Sequence, residues 1–301
     1  MARGTIQVIY KGHQSPVWVI AWAPTGSLIA SGGDDRSVHI WEPVTGKTLA
    51  TKDMHSNLQA LDWSPDGKYI VTGYYRELLD VWSPLTGELL VTYHGHSDEI
   101  FSASWSPDGT SIASSSMDRT IQIWHSMTGE MIQAIQDLWV ESRTVVWSPD
   151  GMYLAYACGN ELYCAKIQES QNQWSSQLID TLEKQYGWIQ CIAWSPNRHY
   201  IACGCDENAI IVWDTGVRKR IAAFHHHTSV VHAIAWSPDG RYLASAGDDR
   251  IVQLVDTMQW KPVYTYLGHQ NSWWVRTLSW SPDNHFIASG DHDGNVHVWE
   301  V

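Results

Sequence analysis

The chain has 301 residues, 44% of them hydrophobic, and a formal charge of −13. That length can bury a substantial core, and the charge excludes the basic footprint that a nucleic-acid backbone demands. No apolar run approaches the roughly 20 residues of a membrane span, and the opening MARGTIQVIYKGH has no apolar stretch of secretory length; a cytoplasmic protein with neither a membrane nor a nucleic-acid partner is expected.

TIQVIY (5–10) alternates apolar and polar residues as a strand does. VWVIAW (17–22) reads as a second strand, closed by the turn Ala23-Pro24-Thr25-Gly26, where proline presets φ and glycine tolerates a positive one. SLIASG (27–32), the tight turn Asp34-Asp35-Arg36, SVHIW (37–41), the turn Val44-Thr45-Gly46 and KTLAT (47–51) complete a unit of four short antiparallel strands. The unit then recurs. Trp22 opens WAPTG, Trp63, Trp105, Trp147 and Trp236 open WSPDG, Trp194 opens WSPNR and Trp280 opens WSPDN, at steps of 41, 42, 42, 47, 42 and 44 residues. A second tryptophan follows 19 residues later in five units, as Trp41, Trp82, Trp124, Trp213 and Trp299. The sixth unit has Val255 there, and the fourth, one residue shorter, has Ala165.

A four-stranded unit of this period is a β-propeller blade. The expected fold is all-β, a seven-bladed propeller forming a single domain over 1–301. Its repeats start near Gly12, Met54, Gly95, Asp137, Lys184, His226 and Gly268. The seventh unit ends at Val301 without an outer strand, and residues 3–11 are expected to supply it, removing an exposed strand edge.

A Gly-His pair, a Trp-Ser-Pro-Asp-Gly turn, an Asp in a tight turn and an aliphatic strand ending in Trp make these units resemble WD40 repeats, with a turn similar to that of bacterial members. The resemblance covers essentially the whole chain. It implies a buried His–Ser/Thr–Asp–Trp hydrogen-bonded tetrad in each intact blade. The matching residues are His13, Ser31, Asp35 and Trp41 in blade one, His96, Ser114, Asp118 and Trp124 in blade three, and His269, Ser289, Asp293 and Trp299 in blade seven. Blade two keeps His55, Thr72 and Trp82 but has Arg76 in the acid's place. Blade five has Gln185 and Glu207 for His and Asp, and blade six keeps His227, Ser245 and Asp249 with Val255 for Trp. Blade four, with Leu138, Tyr156, Asn160 and Ala165, retains none of the four, and carries the longest insertion (169–177) between its third and outer strands.

Catalytic and metal chemistry find little support. Cys158, Cys164, Cys191, Cys203 and Cys205 lie in apolar, strand-like runs and read as reduced core residues, against a metal site at Cys203-Gly-Cys205. His225-His226-His227 and Asp291-His292-Asp293 are two further places for a cation, each containing a residue the repeat claims. No G-x-S-x-G elbow, H-E-x-x-H pair, phosphate-cradling loop or dinucleotide fingerprint is present. No cofactor and no enzymatic activity are expected.

The resemblance further implies that partners meet the top face, through two positions at the start of each inner strand and one before the turn acid. These are Pro16, Trp18 and Asp34; Asn57, Gln59 and Tyr75; Glu99, Phe101 and Met117; Glu141, Arg143 and Gly159; Trp188, Gln190 and Asp206; Val230, His232 and Asp248; and Trp274, Arg276 and His292. Aromatics and arginine are typical of binding hot spots, and carboxylates beside them favour a basic segment. The reading is a monomeric, non-catalytic scaffold for a protein or peptide partner, basic in character. The alternatives are a small-ligand or cation site at an acidic channel mouth, and, behind it, a hydrolase on a propeller frame.

Overall fold

The computed structural model describes residues 3–136, 138–167, 175–181 and 186–301. The repeat starts at Asp137 and Lys184, Gln185 and most of the 169–177 insertion lie outside them; its last three residues begin the outer strand Ser175–Thr181 of blade four. The described residues form 28 strands in seven antiparallel sheets of four, with no α-helix. The inner strands pack side by side around a ring, the first against the last.

Blade one consists of Val17–Trp22, Ile29–Gly33, Ser37–Trp41 and Thr48–Asp53. Its second strand starts later than the sequence pattern places it, because Leu28 still closes the preceding turn, its carbonyl accepting from the Ala23 N–H at 2.9 Å. Blade seven is Val275–Trp280, Phe286–Asp291 and Val296–Glu300, with Ile6–Tyr10 as the outer strand. Val8 lies opposite Val298 and Tyr10 opposite Val296.

Where a unit has both tryptophans they have different tasks. In four blades the inner-strand indole stitches its blade to the one before, whereas Trp22 donates to Gly26 O within its own turn. Trp63 donates to Ala21 O (3.0 Å), Trp147 to Ser104 O (3.1 Å), Trp236 to Ala193 O (3.1 Å) and Trp280 to Ala235 O (3.2 Å), each acceptor lying in the preceding blade. The turn that follows continues the seam, with Gly109 (φ +76) set against Pro65 of the blade before, as Gly151 is against Pro107. The repeat of Trp-Ser-Pro-Asp-Gly is thus an inter-blade packing rule.

The second tryptophan belongs to the buried polar network. In blade one, His13 Nδ1 lies 2.7 Å from Asp35 and Nε2 2.8 Å from the Ser31 hydroxyl, which accepts from the Trp41 indole at 3.0 Å. Blade three repeats this with His96, Asp118, Ser114 and Trp124 at 2.8, 2.8 and 3.2 Å. Burial alone raises the Asp118 carboxyl, but the His96 hydrogen bond and charge outweigh it and bring the pKa down to about 2. Blade six keeps His227, Asp249 and Ser245.

Two assignments need correction. In blade seven, His269 Nδ1 bonds Asp291 at 2.9 Å, not Asp293. Asp291 is buried and also accepts the N–H groups of Asp293 and Asn295, whereas Asp293 is exposed. The His269–Ser289 and Trp299–Ser289 bonds complete that tetrad. In blade two, His55 is exposed and Tyr74 takes the interior place, its hydroxyl donating to Asp80 at 2.6 Å and lying 3.1 Å from Thr72, which accepts from Trp82.

A tyrosine from each preceding outer strand locks three of these networks. Tyr10 stacks on Trp41 with centroids 4.3 Å apart, Tyr93 on Trp124 at 4.5 Å and Tyr266 on Trp299 at 4.4 Å. Their hydroxyls reach one slot in the third strand, filled by His39, Gln122 and His297.

Candidate protein-binding face

In six blades the inner strand carries a bulge near its start, and the extra residue is Trp18, Gln59, Phe101, Gln190, His232 or Arg276. A bulge re-aims the side chain it adds, which explains why this slot leaves the strand's alternation. Two residues earlier, the carbonyls of Pro16, Asn57, Glu99, Trp188, Val230 and Trp274 accept the N–H of Asp34, Tyr75, Met117, Asp206, Asp248 and His292 at 2.8–3.2 Å. One backbone bond per blade therefore gathers the three candidate positions at one end of the ring. Blade four departs: its inner strand is only Val145–Trp147, Arg143 precedes it, and Gly159 O accepts from Ile189 of the next blade.

Much of the face pairs with itself, although the Trp18 and Trp274 indole N–H groups and Arg276 Nε are buried without a hydrogen-bond partner among the described residues. The Arg276 guanidinium lies 5.0 Å from the Trp18 ring and 4.7 Å from the Trp274 ring, held between blades one and seven. Arg276 Nη1 is 3.0 Å from His232 Nδ1, and His232 Nε2 is 2.9 Å from Asp248. Burial, then the Arg276 charge, lower the His232 pKa. Across the mouth, Arg143 donates to Gln190 at 3.0 Å, Gln190 donates to Asp206, and the Arg143 guanidinium sits 5.8 Å from Phe101. Asn57 donates to Asp34 at 2.9 Å, and the nearby Glu99 carboxylate raises the Tyr75 pKa. Glu141 lies 4.0 Å from Arg143. Gln59 is half-buried on its inner strand and enters none of these pairs.

What the face leaves open is apolar. Tyr75 is 52% exposed, Met117 45% and Trp188 37%. Two more were missed in the sequence: Trp273 (65%) and Trp139 (55%), both in loops leading into inner strands. Their signal was position, since the repeat prescribes no aromatic there. Trp139 donates to Glu161 at 2.8 Å and packs beside Gly159.

The described residues bring three metal-ligating atoms together at His13, Asp35 and His39 and at His269, Asp291 and His297. In the first set both His13 nitrogens are engaged by Asp35 and Ser31, and both His39 nitrogens by Tyr10 and Ser37. Both sets are hydrogen-bond networks of the blades. Asp62 is a further acid, half-buried on its inner strand, accepting from Trp63 N and, across the blade junction, Trp105 N at 2.8 Å; desolvation raises its pKa to about 7 against those two bonds. No helix among the described residues is long and apolar enough to cross a membrane.

The chain matches the family model described as WD domain, G-beta repeat, over residues 4–42, 46–83, 87–125, 176–214, 218–256 and 260–300. The unmatched interval contains most of blade four, whose tetrad is lost. Among curated proteins it is similar to eukaryotic translation initiation factor 3 subunit I of Botryotinia fuckeliana, 43% identical over 47 residues, or 16% of this chain and 14% of that protein. It is also similar to the ribosome biogenesis protein erb1 of Neurospora crassa, 46% identical over 41 residues, 14% of this chain and 5% of that one. The chain thus aligns with a small fraction of the length of these relatives. Six matched repeats, folded as a closed ring of seven four-stranded blades, place the chain in the WD40 (WD domain, G-beta repeat) family.

Proposed function

We propose that this protein is a non-catalytic scaffold, acting as a single-domain monomer in the cytoplasm, that binds a protein or peptide partner on the face formed by the inner-strand starts. The observation that carries the reading is the set of exposed aromatic side chains, Tyr75, Trp139, Trp188 and Trp273, fixed on a rigid ring beside Met117. Large rigid aromatics bury much area at low entropic cost, which is what an interface anchor requires. Trp18 and Trp274 serve as the inner wall that holds Arg276 in place, rather than as free anchors. Asp206 and Glu207 next to Trp188, and Asp293 next to His292, favour a partner segment with Lys or Arg. The stretches shared with the initiation factor and erb1 are one repeat long and carry the blade, not those proteins' assemblies.

The test is affinity capture with mass spectrometry, comparing wild type with Tyr75→Ala/Trp188→Ala/Trp273→Ala. All three positions are exposed, so the fold should survive. Loss of specific partners from the triple variant, with circular dichroism unchanged, is the expected result. An undiminished partner list refutes the assignment of this face.

A further inference from the structure

The end of the ring opposite the candidate face carries the turns after the inner and third strands, and there the blade junctions differ. At each of three successive junctions, an aromatic at the start of one blade's second strand lies parallel to the inner-strand tryptophan of the next. Tyr200 pairs with Trp236 (6.0 Å, 17°), Tyr242 with Trp280 (6.4 Å, 6°) and Phe286 with Trp22 (6.4 Å, 20°).

The chain covers the first two pairs itself. Trp260 stands edge-on to Tyr200 (5.6 Å, 87°) and Trp236 (6.1 Å, 85°). It does so from the turn after the third strand of blade six, at φ +53, a conformation unusual for so bulky a residue. Over the second pair, the guanidinium of Arg3 lies 5.2 Å from the Tyr242 ring while its Nη2 donates to the Tyr242 hydroxyl at 3.1 Å. At the third junction the position equivalent to Trp260 is Gly46, also at positive φ (+70). No side chain from that turn position covers this pair, and a cleft of about 360 Å³ lies over Trp22 and Phe286, walled by Pro43, Val44 and Pro282, with Asp283 at its lip. Val44 is 61% exposed, so burial within this molecule does not account for an apolar residue there.

We infer that the cleft between blades seven and one is a second binding site, which takes an aromatic side chain flanked by Lys or Arg from a protein partner. The molecule shows what fits: an indole over one equivalent ring pair and a guanidinium over the other. The charge agrees. Asp283 spends Oδ1 on the turn, accepting from Ser281 and His285 N, while Oδ2 lies 3.3 Å from Nδ1 of the exposed His285, and its side chain remains 60% exposed on a chain of net charge −13. The site lies at the far end from the proposed scaffold face, so either reading can fail alone.

The probes are three capped tripeptides, Arg-Trp-Arg, Gly-Trp-Gly and Glu-Trp-Glu, titrated by ligand-observed NMR. Wild type should bind Arg-Trp-Arg saturably in the millimolar range, more tightly than Gly-Trp-Gly and Glu-Trp-Glu. Gly46→Trp, copying Trp260, should fill the cleft and weaken Arg-Trp-Arg binding by about tenfold or more. Should that variant fold poorly, Val44→Glu on the exposed wall reads the same loss for Gly-Trp-Gly. Asp283→Asn should lower the preference for Arg-Trp-Arg over Gly-Trp-Gly and leave Gly-Trp-Gly unchanged. The turn tolerates it, because Asn197 fills the equivalent place in blade five, accepting from Ser195 at 2.7 Å and from His199 N at 3.0 Å. No saturable binding to wild type, equal binding by a folded Gly46→Trp or Val44→Glu variant, or a preference for Glu-Trp-Glu overturns the site.

Discussion

Replacing His39 by Gln should change how acid unfolds this protein while leaving its neutral stability nearly intact. His39 Nδ1 lies 2.6 Å from the Tyr10 hydroxyl and Nε2 3.0 Å from the Ser37 hydroxyl, and its ring stacks on His13 at 4.1 Å. Burial, then the His13 charge, push its pKa down to about 4. The unfolded chain takes up this proton near pH 6.5, whereas the folded chain excludes it until about pH 4. Between those values the unfolded state binds one more proton, so stability rises with pH across the window. The contribution is whole above pH 6.5 and falls away toward pH 4, by about 3 kcal/mol at 1.36 kcal/mol per pH unit. Blade three shows that Gln fits: Gln122 accepts from the Tyr93 hydroxyl and donates to Gly95 O and Thr120 Oγ1, both at 3.1 Å. His39→Gln should therefore cost about 1 kcal/mol or less at pH 7.5 and overtake wild type by about 2 kcal/mol near pH 4.5. Urea unfolding at half-unit pH steps measures the difference, from which titrating groups not coupled to His39 cancel. Curves for the two proteins that run parallel from pH 7.5 to 4.5 refute the reasoning.

The two acids of blade seven should separate cleanly. Asp291→Asn, which disturbs a buried pair with His269, should lower stability by about 2 kcal/mol or more, while Asp293→Asn should stay within about 0.5 kcal/mol; the urea midpoints compare them. Asp62→Asn, which cannot ionise, should gain about 2 kcal/mol or more on wild type in urea unfolding as pH rises from 4 to 8, offset at every pH by the N–H bond that one lost acceptor oxygen no longer takes. The raised Asp62 pKa means that the folded state holds its proton more tightly, so this acid supports folding at low pH and opposes it as pH rises through about 7. Tyr10→Ala removes a buried ring that stacks on Trp41, and should cost about 3 kcal/mol in denaturant unfolding. Arg276→Ala should remove the cation between Trp18 and Trp274, shift the tryptophan emission maximum and cost about 1–2 kcal/mol.

The interior was legible to the extent that local chemistry repeats. His13, Ser31, Asp35 and Trp41 were identifiable because a buried polar set must recur intact. The blade-seven acid was not, since Asp291 and Asp293 sit two residues apart on one turn and spacing from Ser289 favours the wrong one. The 22-residue step from His to Asp, common to His13–Asp35, His96–Asp118 and His227–Asp249, points instead to Asp291, and burial agrees: Asp291 is enclosed and takes two turn N–H groups, and Asp293 faces solvent. His55 misled for the same reason, because a histidine at the expected spacing is no guide once Tyr74 has filled the interior place.

The period of tryptophan-led turns, the alternation of the strands between them and an unpaired final unit were enough to determine seven blades and their order, since each follows from residues near one another in the chain. Which side chains meet across blade junctions was decided only by the closed ring. Trp18 and Arg276 stand 258 residues apart and Trp22 and Phe286 further still, yet they touch because the first inner strand packs against the last. Such contacts depend on the small rotation between successive blades, which accumulates around the axis and leaves no mark in the local sequence pattern.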